Sequence, residues 1–413
     1  MSVTAERANS GDVIDIARAL IAAPSPNLPG DERLVAGVIH ETMERLGLPR
    51  ARVIAQNPER PNLLSTIDFG PGGNHLVLCG HIDTKPIGDA KWSVDPYGAQ
   101  IDGDRLYGLG SADMKAAIAA ILAAARELIK DGTSSGKLSI LLLADEEYGA
   151  KFGAEYVAST THLAADGIVI GEPAGIQDDF DGLHLVSRGL ARLRLTARAR
   201  QGHSSLSGMM HERNAGVDAA RAVIAFADQV HLAIPPNSDG LRDWETTINP
   251  ALLYTGGVGY GVLPAHVGVE NEVRLLPGML RDEVEAAFRA VALRTAEQTG
   301  ADLTVQIGET ATDWIPATQL RSAHPLVAAA QRSSRAVLGD ELPIAVFPGT
   351  TDATWFDSFQ GIPCLPAFGP GLLGRCHAAD EWVSIDAVRK SVDLYRHLAV
   401  DFCASTMLNG DQR

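Results

Sequence analysis

Cysteine is scarce: four in 413 residues, at Cys79, Cys364, Cys376 and Cys403, with no C-x-x-C spacing. That number and spacing exclude a disulfide framework and a thiolate metal knuckle, so reduced thiols serving as packing residues are expected. Cys79 lies in an apolar run and Cys376 beside His377. Long hydrophobic runs are also missing. The longest, such as AAIAAILAAA and LSILLLA, fall short of the ~18–20 residues needed to span a bilayer. Positive charge is in deficit, with 35 Lys and Arg against 51 Asp and Glu and a formal net charge of −16. Such a balance argues against a nucleic-acid backbone or an anionic membrane as partner and favours a small-molecule substrate. The opening MSVTAERANSGD lacks a basic region followed by an apolar one, and a cytoplasmic protein is expected.

What is present fits a soluble globular chain. Hydrophobic residues make up 46% of it, enough for a large core. Single cores stop growing near ~250–300 residues, so two domains are expected, one of them inserted in the other. The first third alternates helical and strand patterns, with helices near 12–22 and 31–46, which is the α/β signature. HLVLCG, KLSILLLA and DGIVIG are short apolar runs with little polar alternation, as expected of central parallel strands covered on both faces.

A candidate ligand follows each of those runs: His81 in HID, Glu147 beside Glu146 in ADEEYG, and Glu172 in GEP. Open α/β sheets bind at the carboxyl ends of their strands, so these residues are expected to converge on one edge. Asp113 in SADMK is expected in the first turn of an Ala-rich helix, with Ser111 as N-cap and Gly132 ending it. His377 in CHAADE completes the set. Two imidazoles and three carboxylates suit a pair of divalent ions sharing one bridging carboxylate.

About 200 residues separate Glu172 from His377. Within that gap the pattern from about 190 to 307 reads β-α-β-β-α-β, a ferredoxin-like order. The expected division is a catalytic domain in two parts, 1–187 and 309–413, with an inserted lid and dimerisation domain at 188–308. GVGYG at 257–261 lacks the spacing of a phosphate loop and reads as a turn.

HID, YGLGSADMK, ADEEYG, GEP, RQGHSS and GRCHAADEW occur in an order and at separations that together resemble the dinuclear zinc amidohydrolase and peptidase family of acetylornithine deacetylase, succinyl-diaminopimelate desuccinylase, aminoacylase and the glutamate carboxypeptidases. The resemblance covers nearly the whole chain. It implies a zinc-peptidase-like catalytic domain with a mostly parallel central sheet and two divalent ions per subunit, Zn2+ foremost and Co2+ or Mn2+ as alternatives. His81 and Glu172 would hold one ion, Glu147 and His377 the other, and Asp113 both. Glu146 would be the general base acting on a water between the metals, and Asp83 would accept a hydrogen bond from the His81 imidazole. His203 would reach the site of a neighbouring subunit in a homodimer and support the oxyanion, its plainer alternative being a cap on the following helix. Arg274 would grip a substrate carboxylate, with Asn249, Gly349 and Thr350 around it; an arginine on a strand equally often pairs with a surface acid.

Departures fall away from the ligands: Leu109 and Ala116-Ala117 in GLGSADMKAA, Gly261 in GYGVLP, and Glu272 in place of the usual acid of D-x-R. The remaining histidines, His40, His75, His162, His184, His211, His231, His266 and His324 among them, read as surface or core residues. The expected activity is hydrolysis of the amide C–N bond of a small carboxylate-bearing N-acyl amino acid or short peptide. Hydrolytic deamination of an unusual small amine on the same site, or a non-catalytic metal-binding scaffold, are the alternatives.

Overall fold

The computed structural model describes residues 12–132, 135–206 and 212–405. The N-terminal segment through Gly11 and His211 lie outside the described residues.

The central sheet has six strands in the order Arg52–Ile54, Asn62–Gly70, Gly136–Leu143, His75–His81, Gly167–Ile170, Cys364–Leu365. The last four run parallel, and the first two are antiparallel additions at one edge. Alternate residues of the same strands enter different cores. Leu76, Leu78, Leu138, Ile140, Leu142 and Val169 face the Ala-rich helix Ala116–Asp131 and the helix Ile385–Ala404. Val77, Cys79, Leu141, Leu143, Ile168 and Ile170 face the helices Ala154–Thr160 and Ala353–Gln360. Burial on both faces is why these strands read as unbroken apolar runs.

A second core belongs to the segment after Gly189. Its elements are the strand Gly189–Arg198, the helix Ala215–Gln229, the strands Thr247–Gly256 and His266–Leu275, the helix Arg281–Thr299 and the strand Asp302–Ile307. The main strands pair antiparallel, with Gly189–Arg198 between His266–Leu275 and Asp302–Ile307, and Thr247–Gly256 at the edge. Leu193, Leu195, Val269, Val273 and Val305 pack under the two helices, where Phe226 and Phe288 meet edge to face with centroids 5.1 Å apart. One face of this sheet is buried and the other open, hence the alternating LARLRLTARAR.

A three-stranded sheet that the sequence pattern did not reveal, Thr318–Gln319, Leu183–Ser187 and Ile344–Phe347, stands where the chain leaves and re-enters the first unit. The helices Ala353–Gln360 and Ile385–Ala404 are likewise additions to the sequence reading. Gly257–Gly261 is a turn with Tyr260 fully exposed, as expected.

The local structure at Asp113 differs from expectation. Ser111 does not cap a helix: Gly110, at φ 77°, precedes a distorted turn over Ser111–Lys115 in which Asp113 and Met114 have non-helical backbone angles, and the regular helix begins only at Ala116. Gly132 ends it in the left-handed conformation, as read. The distortion has a packing cause. Met114 inserts against the sheet, where a Cβ on Gly80 would lie 2.5 Å from its Cε and one on Gly171 2.9 Å. Met114, the neighbour of Asp113, thus fills the space in front of the glycines that precede His81 and Glu172, and Ala117 and Tyr395 also crowd Gly171.

Phe288→Ala is expected to destabilise the second core by about 3–5 kcal/mol, the usual cost of deleting a fully buried aromatic ring. Thermal denaturation followed by circular dichroism checks this; an unchanged melting temperature would contradict the packing described.

Candidate metal centre

The expected ligands come from strand ends and from short irregular turns, His377 following the 3-10 turn Leu373–Arg375. His81 is the last residue of its strand, Glu146 and Glu147 open a single 3-10 turn, Glu172 stands just past Gly167–Ile170, and Asp113 comes from the distorted turn. The Asp113 carboxylate lies between two imidazoles: Oδ1 is 2.8 Å from His81 Nε2, and Oδ2 is 3.1 Å from His377 Nε2. Glu172 Oε1 lies 3.6 Å from His81 Nε2 and Glu147 Oε2 3.2 Å from His377 Nε2. Ligand atoms of His81, Asp113 and Glu147 lie within 4.8 Å of one another, as do those of His81, Glu146 and Glu172. By the imidazole distances the donor set divides into His81 with Glu172 and His377 with Glu147, joined through Asp113, although Glu147 also lies close to His81 and His377 belongs to neither of the two triads.

The charges explain what such a cluster needs. Burial, reinforced by the Asp113 charge, drives the Glu172 carboxyl well above its ordinary range, and burial with Asp352, Glu147 and Asp113 does the same to Glu146. Burial alone would lower His377, but its bonds to Asp113 and Glu147 raise it to about 10. His81 is likewise raised against its burial by Asp113 and Asp83. Four carboxylates facing two imidazoles make a concentrated negative field that divalent cations offset. Nitrogen and oxygen donors at this spacing fit a pair of such ions.

The support beneath the ligands is also specific. Asp83 is fully buried, and its carboxylate accepts the N–H groups of Glu146 and Glu147, both at 3.1 Å, and Asn27 Nδ2 at 2.8 Å. Its expected hydrogen bond to the imidazole is therefore not the one made. His81 Nδ1 bonds the Asp83 backbone carbonyl at 3.1 Å, while the nearer carboxylate oxygen stands 3.6 Å away, beyond hydrogen-bond range. The carboxylate orients the glutamate turn, and the main chain orients the ring.

Three contributors escaped the sequence reading. Glu381, 1% exposed, accepts the N–H groups of Gly110, Ala112 and Asp113 at 3.1, 2.8 and 3.2 Å and so fixes the turn that aims Asp113. Arg60 forms a buried pair with Glu32 and reaches Asp145 Oδ1 at 2.8 Å; Asn27 links that same oxygen to Asp83. Lys85 places its ammonium 3.0 Å from Glu147 Oε2. The signal for Glu381 was its place four residues after His377, and for Lys85 its place four after His81; Arg60 carried none, since its partners are remote in sequence.

A cavity of about 340 Å³ opens over the cluster, lined by Asp113, Glu146, Glu147, Glu172, Arg274, Phe347, Pro348, Gly349, Thr350, Leu373, Cys376 and His377. Arg274, Gly349 and Thr350 are thus brought to the cluster. Arg274 Nη1 bonds Thr350 Oγ1 at 3.3 Å and its Nε bonds Glu272 at 2.8 Å, so the departure at Glu272 braces the arginine. Asn249 is held on Glu272 at 3.3 Å and does not line the cavity. His203 does not line it either. Exposed on the inserted unit, it accepts from Ser205 Oγ at 2.8 Å and Ser205 N at 3.3 Å, capping the short turn that follows. His184 and His324 are buried residues in structural roles, the first bonded to the Ala174 carbonyl and the second capping the helix Pro325–Leu338. All four cysteines are free.

The model of the peptidase family M20/M25/M40 matches residues 77–401. The chain belongs to that family. Among its relatives in the M20 group, the succinyl-diaminopimelate desuccinylase of Methylocella silvestris is 26% identical, over 92% of this chain and 96% of that protein. The acetylornithine deacetylase of Klebsiella pneumoniae is 28% identical, over 94% and 97%. The crystal structure of an M20 family metallo-carboxypeptidase from Sulfolobus solfataricus superposes with a TM-score of 0.75 at 18% identity, covering 95% of this chain and 100% of that one, and shows the fold to be shared.

Glu381→Gln leaves one acceptor oxygen and sets an amide N–H against a backbone N–H. Metal affinity is expected to fall about 10–100-fold, as when other groups behind metal ligands are removed. Elemental analysis of the protein after dialysis at limiting metal measures this; full retention would show that Glu381 does not hold Asp113 in place.

Proposed function

We propose that this M20 protein is a dinuclear metal-dependent amidohydrolase that cleaves the C–N bond of a small carboxylate-bearing N-acyl amino acid or short peptide. The observation that carries the reading is the Asp113 carboxylate presented to His81 and His377 at the floor of a cavity that also holds Glu146 and Arg274. His81 with Glu172 and His377 with Glu147 would each hold one cation, Asp113 both, with Zn2+ foremost and Co2+ or Mn2+ compatible with the same donors. When bound, such ions lower the pKa of water and polarise a carbonyl.

The chain's own groups supply the rest. Glu146 faces the cavity with no ion pair of its own among the described residues, and burial, with Asp352, Glu147 and Asp113, raises its affinity for a proton, so that once bound cations offset those charges its carboxylate would be a strong base. It is suited to take a proton from attacking water and hand it to the departing nitrogen. Arg274, held by Glu272 and Thr350, offers its guanidinium edge to a substrate carboxylate. Gly349 and Thr350 line the same wall; Asn249 would act through Glu272. Asp83 keeps the glutamate turn in register.

The segment 188–308 is proposed as a lid and dimerisation domain between the catalytic parts 1–187 and 309–413. Its edge strand Thr247–Gly256 exposes Leu252, Leu253 and Tyr254 at 52–59%, and the adjoining turn exposes Val258 and Tyr260. An apolar sheet edge of this kind calls for a covering partner. A second copy paired there would account for His203 standing outside its own cavity, ready to meet the oxyanion in its neighbour's. No helix among the described residues is long and apolar enough to cross a membrane, and the free thiols fit the proposed cytoplasmic setting.

Glu146→Gln is expected to lower kcat by about 10²–10⁴-fold on whichever acylated amino acid or dipeptide the wild type hydrolyses, with bound metal unchanged. Wild-type turnover in that variant would remove Glu146 from the base role. Leu253→Glu is expected to convert a dimer to monomer by light scattering and, by withdrawing His203, to reduce turnover about 10²–10³-fold. A fully active monomer would refute the shared site.

A further inference from the structure

The two halves of the donor set are not equivalent, and the difference turns on Lys85. Its backbone N–H donates to Glu147 Oε1 at 3.2 Å. Its ammonium lies 3.0 Å from Glu147 Oε2 and also donates to the Glu147 backbone carbonyl. Oε2 is the oxygen that faces His377 Nε2 at 3.2 Å, so the lysine charge sits on a prospective metal donor. No lysine or arginine among the described residues pairs with Glu172 in the other half, where His81 is 1% exposed and Glu172 7%. A second difference, independent of the lysine, points the same way: the His377 side chain is 49% exposed, so water competes at that position and not at His81.

Resting on the dinuclear reading above, we infer that Lys85 makes the Asp113–Glu147–His377 position the weaker and exchangeable one, while the His81–Asp113–Glu172 position retains its cation. A divalent ion drawing on Glu147 Oε2 meets a monovalent ammonium a few ångströms away, held by two contacts to Glu147 while the Lys85 backbone N–H makes a third. The repulsion acts on one position directly and on the other only across the cluster, where distance attenuates it. Occupancy of the outer position then follows the free-cation level of its surroundings, and the enzyme carries a built-in sensitivity to metal supply.

The test is titration of Mn2+ into the chelator-stripped full-length chain, with free Mn2+ read from its electron paramagnetic resonance signal. Wild type is expected to bind one tight and one weaker equivalent, and His377→Ala to lose the weaker. Lys85→Met is expected to tighten the weaker equivalent by about tenfold or more with the first unchanged, whereas Lys85→Arg keeps the difference. Lys85→Gln, an uncharged polar replacement, repeats the measurement if the Met variant folds poorly. Two equal sites in wild type, an unaltered second equivalent in both uncharged variants, or an equal shift of both equivalents would overturn the role of Lys85. A wild-type chain that binds no Mn2+, Zn2+ or Co2+ would instead remove the dinuclear reading itself.

Discussion

The structure is organised around a concentration of negative charge that the fold must hold together. Asp113, Glu146, Glu147 and Glu172 share one cleft with two imidazoles, and Asp83 lies buried directly behind them. Burial first, and repulsion between carboxylates second, resist their ionisation and push Glu146 and Glu172 well above the ordinary range. They stay in place because each is mounted on backbone that cannot relax. Parallel strands buried on both faces fix His81 and the approach to Glu172, and a turn whose N–H groups are taken by Asp83 fixes Glu146 and Glu147. A second carboxylate, Glu381, does the same for Asp113.

Carboxylate on backbone N–H recurs as the device that sets this site. It appears at Asp83, at Glu381, and at Asp145, which accepts from Phe152 N while its other oxygen takes Arg60 and Asn27. In each case a buried carboxylate accepts main-chain donors of a short irregular turn, at Asp145 together with Arg60 and Asn27, which suits positions where a helix or strand would aim the ligand wrongly. The distorted turn at Asp113 illustrates the point: it carries Met114 onto the sheet against Gly80 and Gly171, and Glu381 takes its N–H groups.

The inserted unit does a different task on the same physical terms. Its core is closed by Phe226 and Phe288 under one face of the sheet, and a contiguous set of exposed apolar residues lies along the edge strand and its turn. It contributes Arg274 to the cavity from a strand end, braced by Glu272, while His203 remains on the surface. The segment matched by the M20 family runs from the strand His75–His81 into the helix Ile385–Ala404 and spans these residues.

Much of the plan was legible from the sequence because burial on both sides of a parallel sheet leaves unbroken apolar runs, and ligands follow where those runs stop. Between Gly189 and Ile307 the main strands and helices follow the β-α-β-β-α-β order that the pattern there predicts. The residues invisible to that reading act through contacts remote in sequence. Arg60 reaches Asp145, Glu381 reaches Gly110 to Asp113, and the short strands Leu183–Ser187 and Ile344–Phe347 pair across the whole intervening segment. The sequence by itself determined which donors exist and in what order, for those are properties of residue type and local pattern. Tertiary structure alone decided which oxygen faces which imidazole, that Asp83 spends its carboxylate on a turn and not on a ring, and that Lys85 lies on Glu147, because each depends on distances that only packing sets.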